Sequence, residues 1–237
     1  MQTLDLLDYF RVDFDAPEPP LLAAPAPWPP AAALATEPGI VIMLTDEDRQ
    51  AAWRLNRRSI GAIGDLTPAT ERADRTAAAA CARRSLVLIA ARQQRMLATV
   101  RLVRAADADH EAGVARLLEA AAPDELSTLV LHVQFAMLAE RPARAMIVPL
   151  FRQAYRSAML AGARSGLIAA APSLRDLLLP FGWRRTGACY RDPIAGEVEI
   201  LRLDLFEFDR LRAVDSPLSS VARDLLNSAE RRLYDAR

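Results

Sequence analysis

The sequence predicts an α/β chain of the α+β kind: a mixed, mostly antiparallel sheet covered by helices on both faces. Three observations lead there. Short apolar runs, the length of strands, recur through the chain. The clearest helical period falls over 143–163, where Ile147, Leu150, Phe151, Ala154, Ala158 and Ala161 share one face. That helix joins two apolar strands, and a long helical crossover forces its two strands to be parallel.

The elements follow in order. Residues 1–15 mix acidic and apolar side chains, with Leu4, Leu6, Leu7, Tyr9 and Phe10 able to dock on the body or on a partner. Residues 16–38 form an arm in which seven prolines fall between Pro17 and Pro30. Proline removes backbone donors and fixes φ, so this stretch is expected to be extended and unpacked. The body starts at Gly39 with a strand over 40–44. Thr45 caps a helix to about Ile60, with acids in its first turn, and Gly61 and Gly64 end it. A second helix spans 68–80. Strands 85–90 and 96–103, separated by a polar ARQQR, make a hairpin. A short helix lies near 112–121. The run 126–133 is apolar throughout, as in a strand buried on both faces. After the long helix, which Gly162 closes, come a strand at 166–171 and a short helix at 172–179. Two closing strands near 183–191 and 197–206 turn through Asp192–Gly196. A final helix over 217–234 has Ser216 as its cap. The division expected is an arm over 1–38, a body over 39–208 and a C-terminal helix within 209–237.

Composition bounds the function. The 237 residues are 52% hydrophobic and 25% charged, enough for a sizeable core and unlike a disordered chain. All 30 cations are arginine, and 30 acids balance them, which argues against a general nucleic-acid binder. No apolar run approaches the roughly 18–20 residues of a membrane span. Asp5 and Asp8 stand where an export signal carries basic residues, so a cytoplasmic location is expected. Cys81 and Cys189 are too few for a disulfide framework or a four-cysteine metal site. His110 and His132 are likewise too sparse for a metal centre, so no metal is expected. His132, on an apolar strand, is read as a satisfied core histidine ahead of a base. Ser127 lacks a Ser-His-Asp pattern, and no P-loop or dinucleotide fingerprint is present.

The element order, with Phe181-Gly182-Trp183 before the final hairpin, resembles the GNAT fold over about residues 39–208. Within that superfamily the chain is most similar to the branch of N-acyl amino acid synthases and acyl-homoserine lactone synthases. The segments that carry the resemblance are Arg57-Arg58, Thr99–Leu102, Glu125–Leu129, Leu150–Arg156, Phe181–Arg184 and Tyr190–Pro193. The resemblance implies transfer of a long-chain fatty acyl group from an acyl carrier protein or coenzyme A thioester to the amine of an amino acid or similar small amine. No tightly bound cofactor is implied, and an acidic acyl carrier protein is the expected partner. Aminolysis needs a proton acceptor and donors aimed at the oxyanion. The resemblance assigns the base to Glu125 and gives Arg101 the role of orienting either Glu125 or a substrate carboxylate through a planar fork. It assigns the acceptor side to Arg57, beside Asp65 or Asp74, and the substrate contacts to Ser127, Thr128, Leu129, Val130, Leu131 and His132. The donor's phosphopantetheine falls to Arg141, Arg144, Ala145 and Met146.

Four departures qualify the likeness. Thr128 stands where the branch often has arginine. Leu178 stands near the position of the usual thiolate-protonating tyrosine. The segment 141–148 has no glycine, which suits a carrier protein's phosphopantetheine better than coenzyme A. Gly61-Ala62-Ile63-Gly64 replaces an aromatic-rich segment. These departures leave open an alternative: a catalytically degenerate GNAT-like module that binds a lipid or a partner protein.

Overall fold

The computed structural model describes residues 28, 37–42, 85–93, 95–108, 112–139, 141–192 and 196–235, without the side chains of 112–113 and 229–235. The helices expected over 45–60 and 68–80 lie outside the described residues, as do residues 1–15, Arg57, Cys81 and His110.

Among the described residues seven strands form one sheet in the order β1-β2-β3-β4-β5-β7-β6. They are β1 (Ile40–Ile42), β2 (Ser85–Arg92), β3 (Arg95–Arg104), β4 (Leu129–Met137), β5 (Ser165–Ala170), β6 (Arg184–Asp192) and β7 (Gly196–Asp204). β4 and β5 are parallel; every other neighbouring pair is antiparallel. The connection that makes them parallel is helical: α2 (Arg141–Ala145) runs through Met146 into α3 (Ile147–Leu160). Pro149 falls in the first turn of α3, where a missing N–H costs least. Gly162, at φ +80°, closes the helix. There the Ala163 N–H bonds to the Ala158 carbonyl at 3.0 Å, the reach-back that a left-handed residue permits.

The remaining α-helices among the described residues are α1 (Ala112–Glu119), α4 (Pro172–Leu178), α5 (Phe208–Ala213) and α6 (Ser219–Asp235). Helix α5 is an addition to the sequence reading, which left 207–216 without structure. The last helix starts at Ser219, so the expected cap at Ser216 is corrected: its Oγ accepts from the Leu218 N–H at 3.1 Å, in the turn ahead of the helix, and donates to the Phe181 carbonyl at 2.7 Å.

Strand alternation sends side chains to two faces, and each face has its own core. On one, Leu88, Val100, Leu102, Val130, Ile168 and Leu201 meet Leu150, Phe151, Ala154 and Ala158 of α3. Alanines at 154 and 158 let the helix lie close. On the other, Val103, Leu129, Leu131, Leu167 and Ile200 meet Val114 and Leu117 of α1. Burying each of these larger side chains contributes roughly 1.5–3 kcal/mol, which is why the period-two and period-3.6 patterns were readable.

Two expectations are corrected. The fourth strand begins at Leu129, not 126; Pro123–Thr128 is a 3-10 turn, and the strand runs on to Met137. A proline followed by acids favours a turn opening over an extended one. The arm is not wholly unpacked: half-buried Trp28 rests on the main core. The Glu37 N–H donates to Gln153 Oε1 at 2.9 Å, and its carboxylate lies 3.2 Å from Arg152 Nε and 3.8 Å from Arg156 Nη2. An indole's apolar area and a carboxylate between two guanidinium groups both gain by docking.

Candidate active site

The sheet parts between β4 and β5. Their ladder runs from Leu129↔Ser165 to His132↔Ile168 and stops. Beyond it, β4 continues on β3 alone through Met137, and β5 continues on β7 alone. A bulge drives the parting. Arg101 faces Val133 and Thr99 faces Ala136, so Val100 stands against both Gln134 and Phe135. Gln134 takes φ +50°, a left-handed conformation that glycine adopts more readily than glutamine. An extra residue bends its strand away from a neighbour. Backbone groups of 134–137 that face away from β3 therefore look into a wedge instead of a strand.

His132 sits at the apex of that wedge, 2% exposed. Its ring stacks on Phe151, centroids 6.4 Å apart, and meets Trp183 edge-on at 5.1 Å. Gly166 makes room for the pair, because a Cβ there would lie 3.1 Å from His132 Nε2. Among the described residues neither imidazole nitrogen has a hydrogen-bond partner, nor has Trp183 Nε1. Burial pushes the His132 pKa down to about 3, so the ring is neutral at ordinary pH and a weak proton acceptor. The expectation of a satisfied core histidine holds for its burial and is corrected for its partners. Phe135, past the bulge, extends the aromatic group onto Phe151 at 5.6 Å.

Arg101 is 2% exposed on the opposite face, on the strand that flanks the wedge. Arg141 and Arg144 are exposed on α2, which follows the end of β4, so they stand at the wedge end of the sheet. Met146 packs toward the core and approaches Gly39. Ser127 and Thr128 lie in the 3-10 turn, while Leu129, Val130 and Leu131 are buried. Val130 and Leu131 pair with strands on both sides and Leu129 pairs with β5, so oxyanion donors are looked for beyond His132.

Glu125 is at the other end. At about 3.3 Å per residue, Leu129 and Val133 are roughly 13 Å apart along β4, and Glu125 precedes Leu129. Its carboxylate is taken by Arg202 of β7, with Nη1 to Oε2 at 2.8 Å and Nη2 to Oε1 at 2.7 Å. Of the two partners expected for Arg101, Glu125 is thereby corrected, which leaves a substrate carboxylate. Arg101 and Arg202 point to the same face, but β4 and β5 separate their strands, and a carboxylate in the 123–128 turn meets only the second. The hydrogen bonds from Arg202 hold the Glu125 carboxyl below its ordinary range. Arg202 Nε also donates to Asp204 at 2.7 Å, and Arg184 joins Asp204 and Glu207 to the network.

Sequence reasoning missed Arg202, Gln134 and Glu199. Glu199 lies on β7 opposite Ala170, one strand from the wedge, with its side chain 18% exposed. Its carboxylate is 3.8 Å from both Arg175 and Arg185, ion pairs too long to occupy its lone pairs as Arg202 occupies those of Glu125. Acid–apolar alternation along 197–203 was the available signal for Glu199. No signal marks a glutamine for a left-handed φ. Among the described residues no group of three or more His, Cys, Asp or Glu could hold a metal ion.

The chain matches no known family profile and no curated protein. Its fold does match solved structures. It is similar to FeeM, an N-acyl amino acid synthase from uncultured soil microbes, at 17% identity and TM-score 0.51, over 70% of this chain and 96% of that one. TofI, solved in a ternary complex with an inhibitor and MTA, matches at 15% identity and TM-score 0.53, over 76% of this chain and 98% of TofI. The AHL synthase LasI matches at 9% identity and TM-score 0.50, over 70% and 90% of the two chains. The chain therefore has a GNAT-like α/β fold, as the sequence led us to expect.

Proposed function

We propose that the protein is an N-acyltransferase that moves a fatty acyl group from a thioester to the amine of an amino acid or similar small molecule. The observation that carries this reading is the parting of β4 from β5 after His132 and Ile168, with the bulge at Gln134 and Phe135. A thioester carbonyl placed in the wedge meets backbone N–H groups fixed by the rest of the sheet. Donors held in advance at a developing oxyanion are a large source of catalysis. The amine attacks that carbonyl, the tetrahedral intermediate collapses, and the thiolate leaves.

The attacking nitrogen must lose a proton. Glu199 takes it, directly or through one water, since Glu125 is bound by Arg202 at the far end of β4. Arg101 orients the acceptor's carboxylate. The donor is an acyl carrier protein in preference to coenzyme A: exposed Arg141 and Arg144 suit an acidic carrier, and no glycine opens 141–148 for a pyrophosphate. The whole acts without a tightly bound cofactor, in the cytoplasm. Among the described residues no helix is long and apolar enough to cross a membrane. One observation favours the second reading, a module without catalysis. Leu178 is fully buried in the core near the position where the fold's usual tyrosine would protonate the thiolate, and a leucine cannot do so. A thiolate leaves readily unprotonated, so we rank that reading below transfer.

The test is a transfer assay with acyl carrier protein and coenzyme A thioesters and a panel of amino acids, read as amide by mass spectrometry. Amide formation is expected, faster with the carrier protein at low salt. Glu199→Gln should slow it by about 10²–10⁴-fold, the usual contribution of a general base, and Glu125→Gln by less than about tenfold. Absence of amide with every pair would overturn transfer in favour of the binding module.

A further inference from the structure

A second site lies outside the wedge. A cavity of about 630 Å³ opens between α3, α5 and α6. That volume is in the usual range for small-molecule sites, about 300–1,000 Å³. Its described walls are of two kinds. Phe208 and Leu226 give it an apolar side, continued by Pro217 and Ala222. Arg152, Arg212 and Arg223 bring three guanidinium groups, against one carboxylate, Asp215. Arg152 leans toward Glu37 at 3.2 Å, and Arg212 pairs with exposed Asp209. Arg223 makes no ion pair or hydrogen bond to any described residue. The 17-residue helix α6 begins at this cavity with no acid in its first turn, which leaves Asp215 as the one carboxylate of the described walls near the positive end of its dipole.

We propose that this cavity binds a carboxylate-bearing acyl amphiphile. The carboxylate meets Arg223 near the start of α6, and the acyl chain lies along Phe208 and Leu226. Apolar walls without the guanidinium groups would suit a neutral lipid, and guanidinium groups without the walls would suit any small anion. Their combination selects a molecule that is both. Two sources share this chemistry: free fatty acids, and N-acyl amino acids such as the proposed transfer would produce. The inference goes beyond that transfer and does not depend on it.

Calorimetry on the full chain tests it with four probes: dodecanoate, N-dodecanoylglycine, dodecanol and acetate. Dodecanoate is expected to bind at least tenfold more tightly than dodecanol or acetate. Arg223→Glu, on an exposed helix position, should weaken dodecanoate at least tenfold while the melting temperature holds. Leu226→Asp should weaken it similarly, and Arg223→Ala by less. N-dodecanoylglycine binding more tightly than dodecanoate would identify the product-like source, and the reverse order the free fatty acid. Binding unchanged in both Arg223 variants would overturn the proposal, because an acyl chain held in the wedge does not sense that residue. Equal binding of dodecanol, or none by either carboxylate, would overturn it too. The transfer assay is run in parallel, so binding without transfer would retain this site and defeat only the enzyme.

Discussion

The two ends of β4 treat polar groups in opposite ways. At its start Glu125 sits in the fork of Arg202, Arg202 bonds Asp204, and Arg184 bonds Asp204 and Glu207. Toward the wedge a buried neutral cluster has no hydrogen-bond partner among the described residues: both nitrogens of His132 and the N–H of Trp183, where β4 turns from its neighbour at Gln134. The matched end is a half-exposed rim where ion pairs form at little cost in desolvation. The unmatched end is dry. Unmade hydrogen bonds there cost about 1–3 kcal/mol each, and structures keep such groups where something else uses them. A single strand thus fastens at one end and opens at the other.

The largest effect should come from the dry end. Trp183 is fully buried against His132 and the core, so Trp183→Ala should cost about 3–5 kcal/mol in urea unfolding. A loss below about 1 kcal/mol would mean that the aromatic group does not hold the wedge.

The next effect separates the ends by pH. Unfolded, His132 takes up a proton near pH 6.5; folded, only near pH 3. Stability from the neutral ring is therefore complete above pH 6.5 and is lost as pH falls toward 3. Acidifying from pH 7 to pH 5 should cost about 2 kcal/mol, and His132→Leu should remove that slope. Glu125 acts lower. Its folded pKa lies below the ordinary 4.5, so its contribution is present above that value and fades only at more acidic pH. A wild-type stability curve flat from pH 7 to 5 would break the contrast between the ends.

The smallest effect belongs to the rim. Glu125 and Arg202 are each a little over one-quarter exposed, and water screens them. Arg202→Met and Glu125→Gln should each cost roughly 1 kcal/mol, and the double variant should be no worse than either alone. Additive losses in that cycle would show that the fork is not the unit of stabilisation.

Much of this was legible before the structure. The hairpin 85–103, the parallel crossover and the closing strands follow from local periodicity, because each element must bury one face. The last helix was readable from its period, but Ser216, expected as its cap, holds the turn before it. The pairing of Glu125 was not readable. It depends on which arginine lies nearest across the sheet, and strand order, not sequence spacing, decides that. The docking of Trp28 was masked by its proline-rich surroundings.

The sequence by itself determined the class of fold, because periodicity and turn chemistry are local and accumulate over every element. It also determined the candidate region, the strand that precedes the long helix. Only the tertiary structure decided where that strand parts from its neighbour, through one bulge residue with φ +50° that any sequence scan reads as ordinary glutamine. It decided, too, which carboxylates are engaged and which stand near the wedge. Those outcomes depend on distances between strands far apart in the chain, and such distances exist only once the sheet has closed its ladders.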